Sequence, residues 1–260
     1  MSDFDIKSIK GFLFDLDGVC YIGRNPIPGA ADAVLSLKQD RIPVRFCTNT
    51  TVLSNESFQK KLNGLGLPIE PGEIFGAISA AQAYLRALGS PRCYILLTDD
   101  PKQDFVEFPQ DDRNPEIVLV GDVCKAWSYD LMHRVFLQIM NGARLVALHK
   151  GRYWQTEEGL RMDIGAFVAG LEYVTGRTAT IIGKPSAEFF RLAIADMGLR
   201  PEEVAMVGDD INSDIGGAQA TGMRGILVRT GKYRPELVER SSITPDLIID
   251  SVVDLPGLLG

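Results

Sequence analysis

Residues 11–18 read GFLFDLDG, a short apolar run that closes on two aspartates and a glycine. Positions 11–16 lack clean alternation of apolar and polar residues, which is the pattern of a strand buried on both faces, as in a parallel sheet. The Asp-Gly step that ends it is a turn signal. In an open parallel sheet the C-terminal strand edge is where ligands bind, because the crossover connections leave a crevice there. Asp15 and Asp17 stand two residues apart, so strand periodicity directs both carboxylates toward that crevice, and Gly18 lets the chain turn at once. Taken alone, the same residues also suit a turn that merely needs Asp and Gly.

Working outward, residues 29–40 (GAADAVLSLKQD) predict a helix with Ala30, Val34, Leu35 and Leu37 on one side, and residues 42–47 (IPVRFC) a second strand. Residues 54–66 predict a helix opened by Ser54 as N-cap and closed near Gly64 and Gly66. This alternation implies a parallel sheet with crossover helices. The middle of the chain changes texture: helical patterns at 76–89, 129–141 and 164–174, strand-like runs at 94–97, 117–120 and 145–148, and a polar loop at 99–116. The simple rhythm returns with strands at 180–182, 204–207 and 225–228 and helices at 186–198 and 213–221. The expected fold is α/β, a Rossmann-like doubly wound parallel-sheet core formed by residues 1–78 and 179–260, with an α/β cap inserted at 79–178.

Composition fits a soluble globular chain: 260 residues, 45% hydrophobic and 23% charged. A net charge of −7 argues against a surface built to neutralise nucleic-acid phosphates, so any phosphate handling is expected to be local. No apolar run approaches the roughly 20 residues of a membrane span. The four cysteines, at 20, 47, 93 and 124, form no CxxC and no zinc-finger spacing, and together with an acidic N-terminus they lead us to expect reduced thiols and a cytoplasmic protein.

Three further stations fall at strand ends. Thr48-Asn49 closes the second strand with a hydroxyl and an amide, neutral groups able to hold phosphate oxygens or to cap a turn. Lys184 follows the strand ending near Ile182-Gly183. Gly208-Asp209-Asp210, with Asp214, follows the apolar strand at 204–207, although Asp210 and Asp214 could also be N-terminal charges of the next helix. Asp15, Asp17, Asp209 and Asp214 place −4 in one crevice, which one Lys184 cannot offset. Such a cluster repels a phosphate unless a divalent cation is present, and an all-oxygen donor set suits Mg²⁺.

The ordered set DxDG, TN, GKP and GDD with an Asp five residues on resembles the haloacid dehalogenase-like phosphatase superfamily. The insertion between TN and GKP resembles its subgroup with a large α/β cap there, which includes nitrophenylphosphatase-like enzymes. Residues 149–167 (HKGRYWQTEEGLRMDIGAF) and 207–233 are similar to a branch whose implied substrates include pyrophosphate and phosphoamino acids. The resemblance implies a Mg²⁺-dependent phosphatase for small phosphorylated substrates. It makes Asp15 the nucleophile and a metal ligand, and Asp17 the general acid/base that binds metal through its backbone carbonyl. By the same resemblance Thr48, Asn49 and Lys184 hold the transferring phosphoryl group, Asp209 completes the metal site, and Asp214 with Asp210 supports it from behind. Thr50 departs mildly from the subgroup's Asn or Ser and keeps a hydroxyl. No nucleic-acid or membrane partner is expected, and an exposed cap surface makes a homodimer through the cap a candidate.

A non-hydrolytic phosphoacceptor shares the strand-end Asp, hydroxyl and Lys, but is roughly half this length and lacks the second aspartate; a phosphomutase of the same superfamily is a second alternative. Cys20 and Cys47 read as inert packing, His133 and His149 as structural, and Gly216-Gly217 as a site of tight helix packing. Tyr153, Trp154 and Arg161, near Asp163, are candidates for substrate contact.

Overall fold

The computed structural model describes residues 4–156 and 159–260. In chain order its strands begin with β1 (Gly11–Asp15), a small hairpin of β2 (Tyr21–Ile22) and β3 (Asn25–Pro26), β4 (Val44–Thr48) and β5 (Ile74–Gly76). Between them lie helices α1 (Ala30–Gln39) and α2 (Asn55–Gly64), and α3 (Ala77–Ala87) follows. The middle segment contains β6 (Cys93–Leu96), the short α4 (Asp99–Lys102), β7 (Ile117–Val120), α5 (Tyr129–Met140), β8 (Arg144–Ala147), the hairpin β9 (Tyr153–Thr156) and β10 (Gly159–Met162), α6 (Gly165–Thr175) and β11 (Thr180–Ile181). After α7 (Ala187–Ala193) come β12 (Val204–Gly208), β13 (Arg224–Val228) and β14 (Leu247–Ile249).

Two parallel sheets result. The larger has strand order β14-β13-β12-β1-β4-β5, and the smaller β11-β8-β7-β6. The chain leaves the first sheet after β5, builds the second, and returns at β12, so the fold is α/β as expected. Strand β1 shows why an unalternated apolar run was the right signal. Phe12 and Phe14 pack on one face with Phe46, Ala205 and Val207, while Leu13 packs on the other with Cys47 and Met206. Rings of Phe12, Phe14 and Phe46 stack at 5.9 and 5.8 Å between centroids.

The apolar cluster around Leu13 continues through Ala77, Ile78 and Ala81 of α3 into Cys93, Ile117, Leu119 and Val146 of the second sheet. The two sheets therefore share buried surface, and the expected boundary after residue 78 falls inside α3. The boundary before residue 179 also differs from the observed pairing: β11, expected in the core, pairs with β8 instead, Thr180 opposite Val146 and Ile181 opposite Ala147. A two-residue strand carries too little pattern to reveal which sheet it joins.

Two helices also depart from expectation. In α1 the buried positions are Ala30, Ala33, Val34 and Leu37, while Leu35 is 43% exposed; the i, i+3, i+4, i+7 stripe selects Ala33 over Leu35. Residues 213–221 were expected to be one helix, but a π-helical turn spans Ile211–Gly216 before Gly217–Gln219 continues as α-helix. Ser54 caps α2 as expected, accepting from the Ser57 amide. Among the described residues no helix is long and apolar enough to cross a membrane.

Candidate active site

Parallel sheets deliver their C-terminal edges to the same side as their crossover loops, and here both edges meet. Asp15 ends β1, Thr48 ends β4, and Asp209 follows β12; from the second sheet, Asp122 lies two residues beyond β7, His149 two beyond β8, and Lys184 three beyond β11. Asp15, Asp17, Thr48, Asn49, Asp122, His149, Lys184 and Asp214 line one cavity of about 150 Å³. A neighbouring cavity of about 450 Å³ shares Asn49, His149, Asp163, Lys184 and Lys232 with it and adds Asp209 and Asp210.

Lys184 is the junction. Its Nζ donates to Asp15 Oδ1 at 2.5 Å and lies 2.8 Å from Asp214 Oδ1. With only 3% of its surface exposed, burial alone would favour the neutral amine, but the two carboxylates prevail and raise its pKa well above the ordinary value. Asn49 holds the Lys184 backbone from both sides, accepting from its amide and donating to its carbonyl, each at 2.9 Å. The Thr48 hydroxyl donates to Thr50 Oγ1 and accepts from the Thr50 amide, both at 3.0 Å.

Asp15, Asp209 and Asp214 are buried and offer one oxygen each within 4.8 Å of one another. Burial, reinforced by Asp15 and Asp214, pushes the Asp209 carboxyl well above its usual range against the pull of Lys232. Its Oδ2 accepts from the Lys232 amide at 2.7 Å, whereas buried Oδ1 has no hydrogen-bond partner among the described residues. An orphaned buried carboxylate oxygen beside two further carboxylates, with no nitrogen or sulfur donor among the three, fits a hard divalent cation. The backbone is shaped for it: Gly18 has φ +95°, and a Cβ there would lie 1.9 Å from Asp209 Oδ2. Gly208 likewise leaves room for Asp214, which a Cβ would meet at 2.4 Å.

Asp17 is partly exposed at the cavity. Burial first, then the Asp15 charge, push its carboxyl up to about 6, against Lys61 and Lys232. The turn behind it is fixed by the Gly18 amide donating to the Tyr21 carbonyl at 2.6 Å. Asp210 turns away: its carboxylate accepts from the Asn212 and Ser213 amides at 2.9 and 3.1 Å, and its own amide donates to Asp214 Oδ2 at 3.1 Å. It thus steadies the π-helical turn and, through its backbone, Asp214.

Of the residues expected to contact substrate, Trp154 lines the first cavity, which Asp163 also lines, and Tyr153 the second. Arg161 is exposed, with its guanidinium 6.0 Å from the Trp154 ring centroid, and lines neither. His149 is buried, as a structural histidine should be, yet also lines the cavity. Its Nδ1 accepts from the Gly151 amide at 3.1 Å, so Nε2 carries the proton; burial holds its pKa down although Asp163 opposes this. His133 is exposed and stacks on Tyr129 and Phe136. Cys20 and Cys47 are buried, and desolvation raises both thiols far from reactivity. A Cβ on Gly217 would meet Phe190 at 2.5 Å, in keeping with tight packing at Gly216-Gly217.

Sequence reasoning missed Lys61, Lys232 and Asp122. Lys232 follows β13 after Gly231, and Asp122 follows β7, so the strand-end rule that singled out Lys184 reaches both. Lys61 carried no such signal. It sits within α2, where its Nζ lies 4.0 Å from the Tyr21 ring centroid, and burial lowers its pKa against the attraction of Asp17.

The chain as a whole finds relatives among known proteins. Residues 12–108 match the haloacid dehalogenase-like hydrolase family, and residues 181–255 match a HAD-hydrolase-like family. Phospholysine phosphohistidine inorganic pyrophosphate phosphatase of Bos taurus is 36% identical over 260 residues, covering 98% of this chain and 95% of that protein. Haloacid dehalogenase-like hydrolase domain-containing protein 2 of Bos taurus is 37% identical over 245 residues, 94% of this chain and 93% of that one. Among solved structures, 4-nitrophenylphosphatase of Thermotoga maritima superposes with TM-score 0.89 at 27% identity, covering 99% and 100% of the two chains. NagD of E. coli K-12 superposes with TM-score 0.83 at 26% identity, covering 95% and 98%. The protein is an α/β phosphatase. It belongs to the haloacid dehalogenase-like hydrolase family, as the ordered motifs implied.

Proposed function

We propose that this phosphatase is Mg²⁺-dependent and works through an aspartyl-phosphate on Asp15. The observation that carries the reading is the buried constellation of Lys184 bridging Asp15 and Asp214, next to the unpartnered Asp209 oxygen. In the first step an Asp15 carboxylate oxygen attacks phosphorus, the bond from phosphorus to the leaving oxygen breaks, and Asp17 gives that oxygen its proton. In the second, a water passes its proton to Asp17 and attacks phosphorus, the bond to Asp15 breaks, and orthophosphate departs. A carboxyl standing near about 6 is suited to both directions of this transfer at neutral pH.

Thr48 and Asn49 bind the phosphoryl oxygens and Lys184 neutralises their charge, while Asp214 keeps Lys184 protonated and aimed. Asp15, Asp209 and the Asp17 carbonyl would hold Mg²⁺, which when bound offsets the carboxylate charge and that of the phosphoryl group. The substrates are small phosphorylated molecules, with pyrophosphate, phosphohistidine and phospholysine the first to examine given the names of the relatives. A phosphoacceptor reading is disfavoured by Asp17, whose position lets it drive the second step. The test is phosphate release from p-nitrophenyl phosphate with Mg²⁺. Turnover well above an Asp15→Asn control is expected, and none above that control across a panel of phosphate esters, pyrophosphate and phosphoramidates overturns the proposal.

A further inference from the structure

The phosphate-binding pair Thr48-Asn49 opens a loop, residues 48–53, every member of which lines the catalytic cavity. Yet residues 50–53 make no backbone–backbone hydrogen bond among the described residues. What holds this wall comes from the second sheet. At the end of the loop, the Asp100 carboxylate of α4 accepts from the Ser54 amide at 2.7 Å, from Ser54 Oγ at 3.2 Å and from Ser57 Oγ at 2.9 Å. The Asp122 amide donates to Thr51 Oγ1 at 3.2 Å, and Thr98 Oγ1 donates to the Val52 carbonyl at 3.5 Å. Asp104 adds a bond from the Asn55 amide at 2.8 Å.

Asp100 gathers three of these bonds at the point where the loop enters α2. A carboxylate accepting three donors forms charge-assisted hydrogen bonds, stronger than neutral ones and more restrictive in geometry. Ser54, the cap of α2, is thus bonded on its outer side to a residue of α4, the helix that follows β6 of the second sheet. Remove the carboxylate, and the loop keeps its sequence and its lining role but loses its far anchor.

We propose that Asp100 is a positioning residue for phosphate binding: from the second sheet it fixes the loop 48–54, and so the placement of Thr48 and Asn49 against the phosphoryl group. This rests on the reading of Thr48 and Asn49 as phosphate ligands. A loop that drifts by about 1 Å weakens its grip on phosphate in substrate and product alike, and small displacements of this kind cost up to about 10²-fold in rate.

The experiment compares Asp100→Ala, Asp100→Asn and, as a control, Glu107→Gln, whose partner Arg86 is an exposed ion pair away from the cavity. Steady-state kinetics with p-nitrophenyl phosphate are paired with competitive inhibition by orthophosphate, well below the melting temperature of each variant. For Asp100→Ala we expect KM and the orthophosphate inhibition constant to rise together by roughly tenfold, with kcat falling less. Asp100→Asn, which keeps an oxygen for the Ser54 amide, restores both to within about threefold, and Glu107→Gln matches the parent. If Asp100→Ala does not fold, Asp100→Ser takes its place, being too short to reach Ser54, with the same rise expected. An active parent whose Asp100→Ala or Asp100→Ser variant keeps parental KM and phosphate inhibition overturns the proposal, as does an equal change in Glu107→Gln. An inactive parent instead defeats the reading of the site itself.

Discussion

The two sheet edges that meet at the cavity contribute different things. The larger sheet supplies Asp15, Thr48, Asp209 and, by way of the π-helical turn, Asp214, so its edge is strongly anionic. The smaller sheet supplies Lys184 after β11, the neutral His149 after β8 and the loop anchors Asp100 and Asp122 after β6 and β7. The buried ion pair from Lys184 to Asp15 and Asp214 therefore closes the seam between the sheets instead of lying within one of them. The edges are complementary: the first carries several buried carboxylates against the single Lys232 after β13, and the second brings the lysine that bridges Asp15 and Asp214.

The sharpest way to break this comparison is at the anionic edge. Asp15→Asn removes the proposed attacking group, and phosphate release is expected to fall by roughly 10⁴-fold or more, measured with p-nitrophenyl phosphate and saturating Mg²⁺. Retained turnover would move the nucleophile elsewhere. Breaking the seam comes next. Lys184→Met leaves Asp15 and Asp214 buried without a counter-charge, which costs about 3–5 kcal/mol when one partner of a buried pair is lost. Urea unfolding in EDTA reads this out. The Asp214 carboxyl is already pushed up to about 6, burial being the main cause. Its protonation at acid pH removes the uncompensated charge, so the stability deficit of Lys184→Met should shrink as pH falls from roughly 8 toward 5. A deficit that is absent, or that grows on acidification, would show that the seam is held by something else.

Much of the anionic edge was legible because each station is a short apolar strand followed at once by polar residues, a pattern that local sequence carries. The nature of the seam was not. Lys184 was singled out correctly as a strand-end residue, but β11 is two residues long and its pairing with β8 is decided by tertiary contact alone. Lys61 was invisible for a related reason: within QKKLNG it looks like a solvated helix face, and only the packing of α2 over the β2–β3 hairpin brings its amine to Tyr21 and Asp17. Leu35 is a different case, since the 3.6-residue period of α1 already favours Ala33 and only the larger apolar side chain argues for Leu35. Asp122 could have been found by applying the strand-end rule to the middle of the chain as well as to its two ends, whereas His149 reads as a strand-end residue with a structural role and proves to line the cavity too.

A third measurement sharpens the comparison without destroying either edge. Asp209 is a liability in the metal-free protein, with one buried oxygen unpartnered, so Asp209→Asn should leave metal-free stability unchanged or slightly increased. The same substitution should abolish the stabilisation that Mg²⁺ gives the parent, which at a hundred times the dissociation constant amounts to about 2.7 kcal/mol. Thermal melts with and without Mg²⁺ separate the two effects. A parent and an Asp209→Asn variant that respond equally to Mg²⁺ would place the cation away from this carboxylate.

The smallest expected effect lies on the second sheet's side, at Asp163. Its Oδ2 is 3.8 Å from His149 Nδ1, too far for a hydrogen bond, and Nδ1 is already occupied by the Gly151 amide. The pair lines the cavity wall, and we predict that it meets the leaving group and not the phosphoryl group. Asp163→Asn should alter kcat/KM for p-nitrophenyl phosphate by less than about tenfold while changing the ranking among substrates with larger or charged leaving groups, because selectivity follows contacts that differ between competitors. A uniform loss across all substrates would instead place Asp163 with the phosphate-handling groups, and the division of labour between the two edges would have to be redrawn.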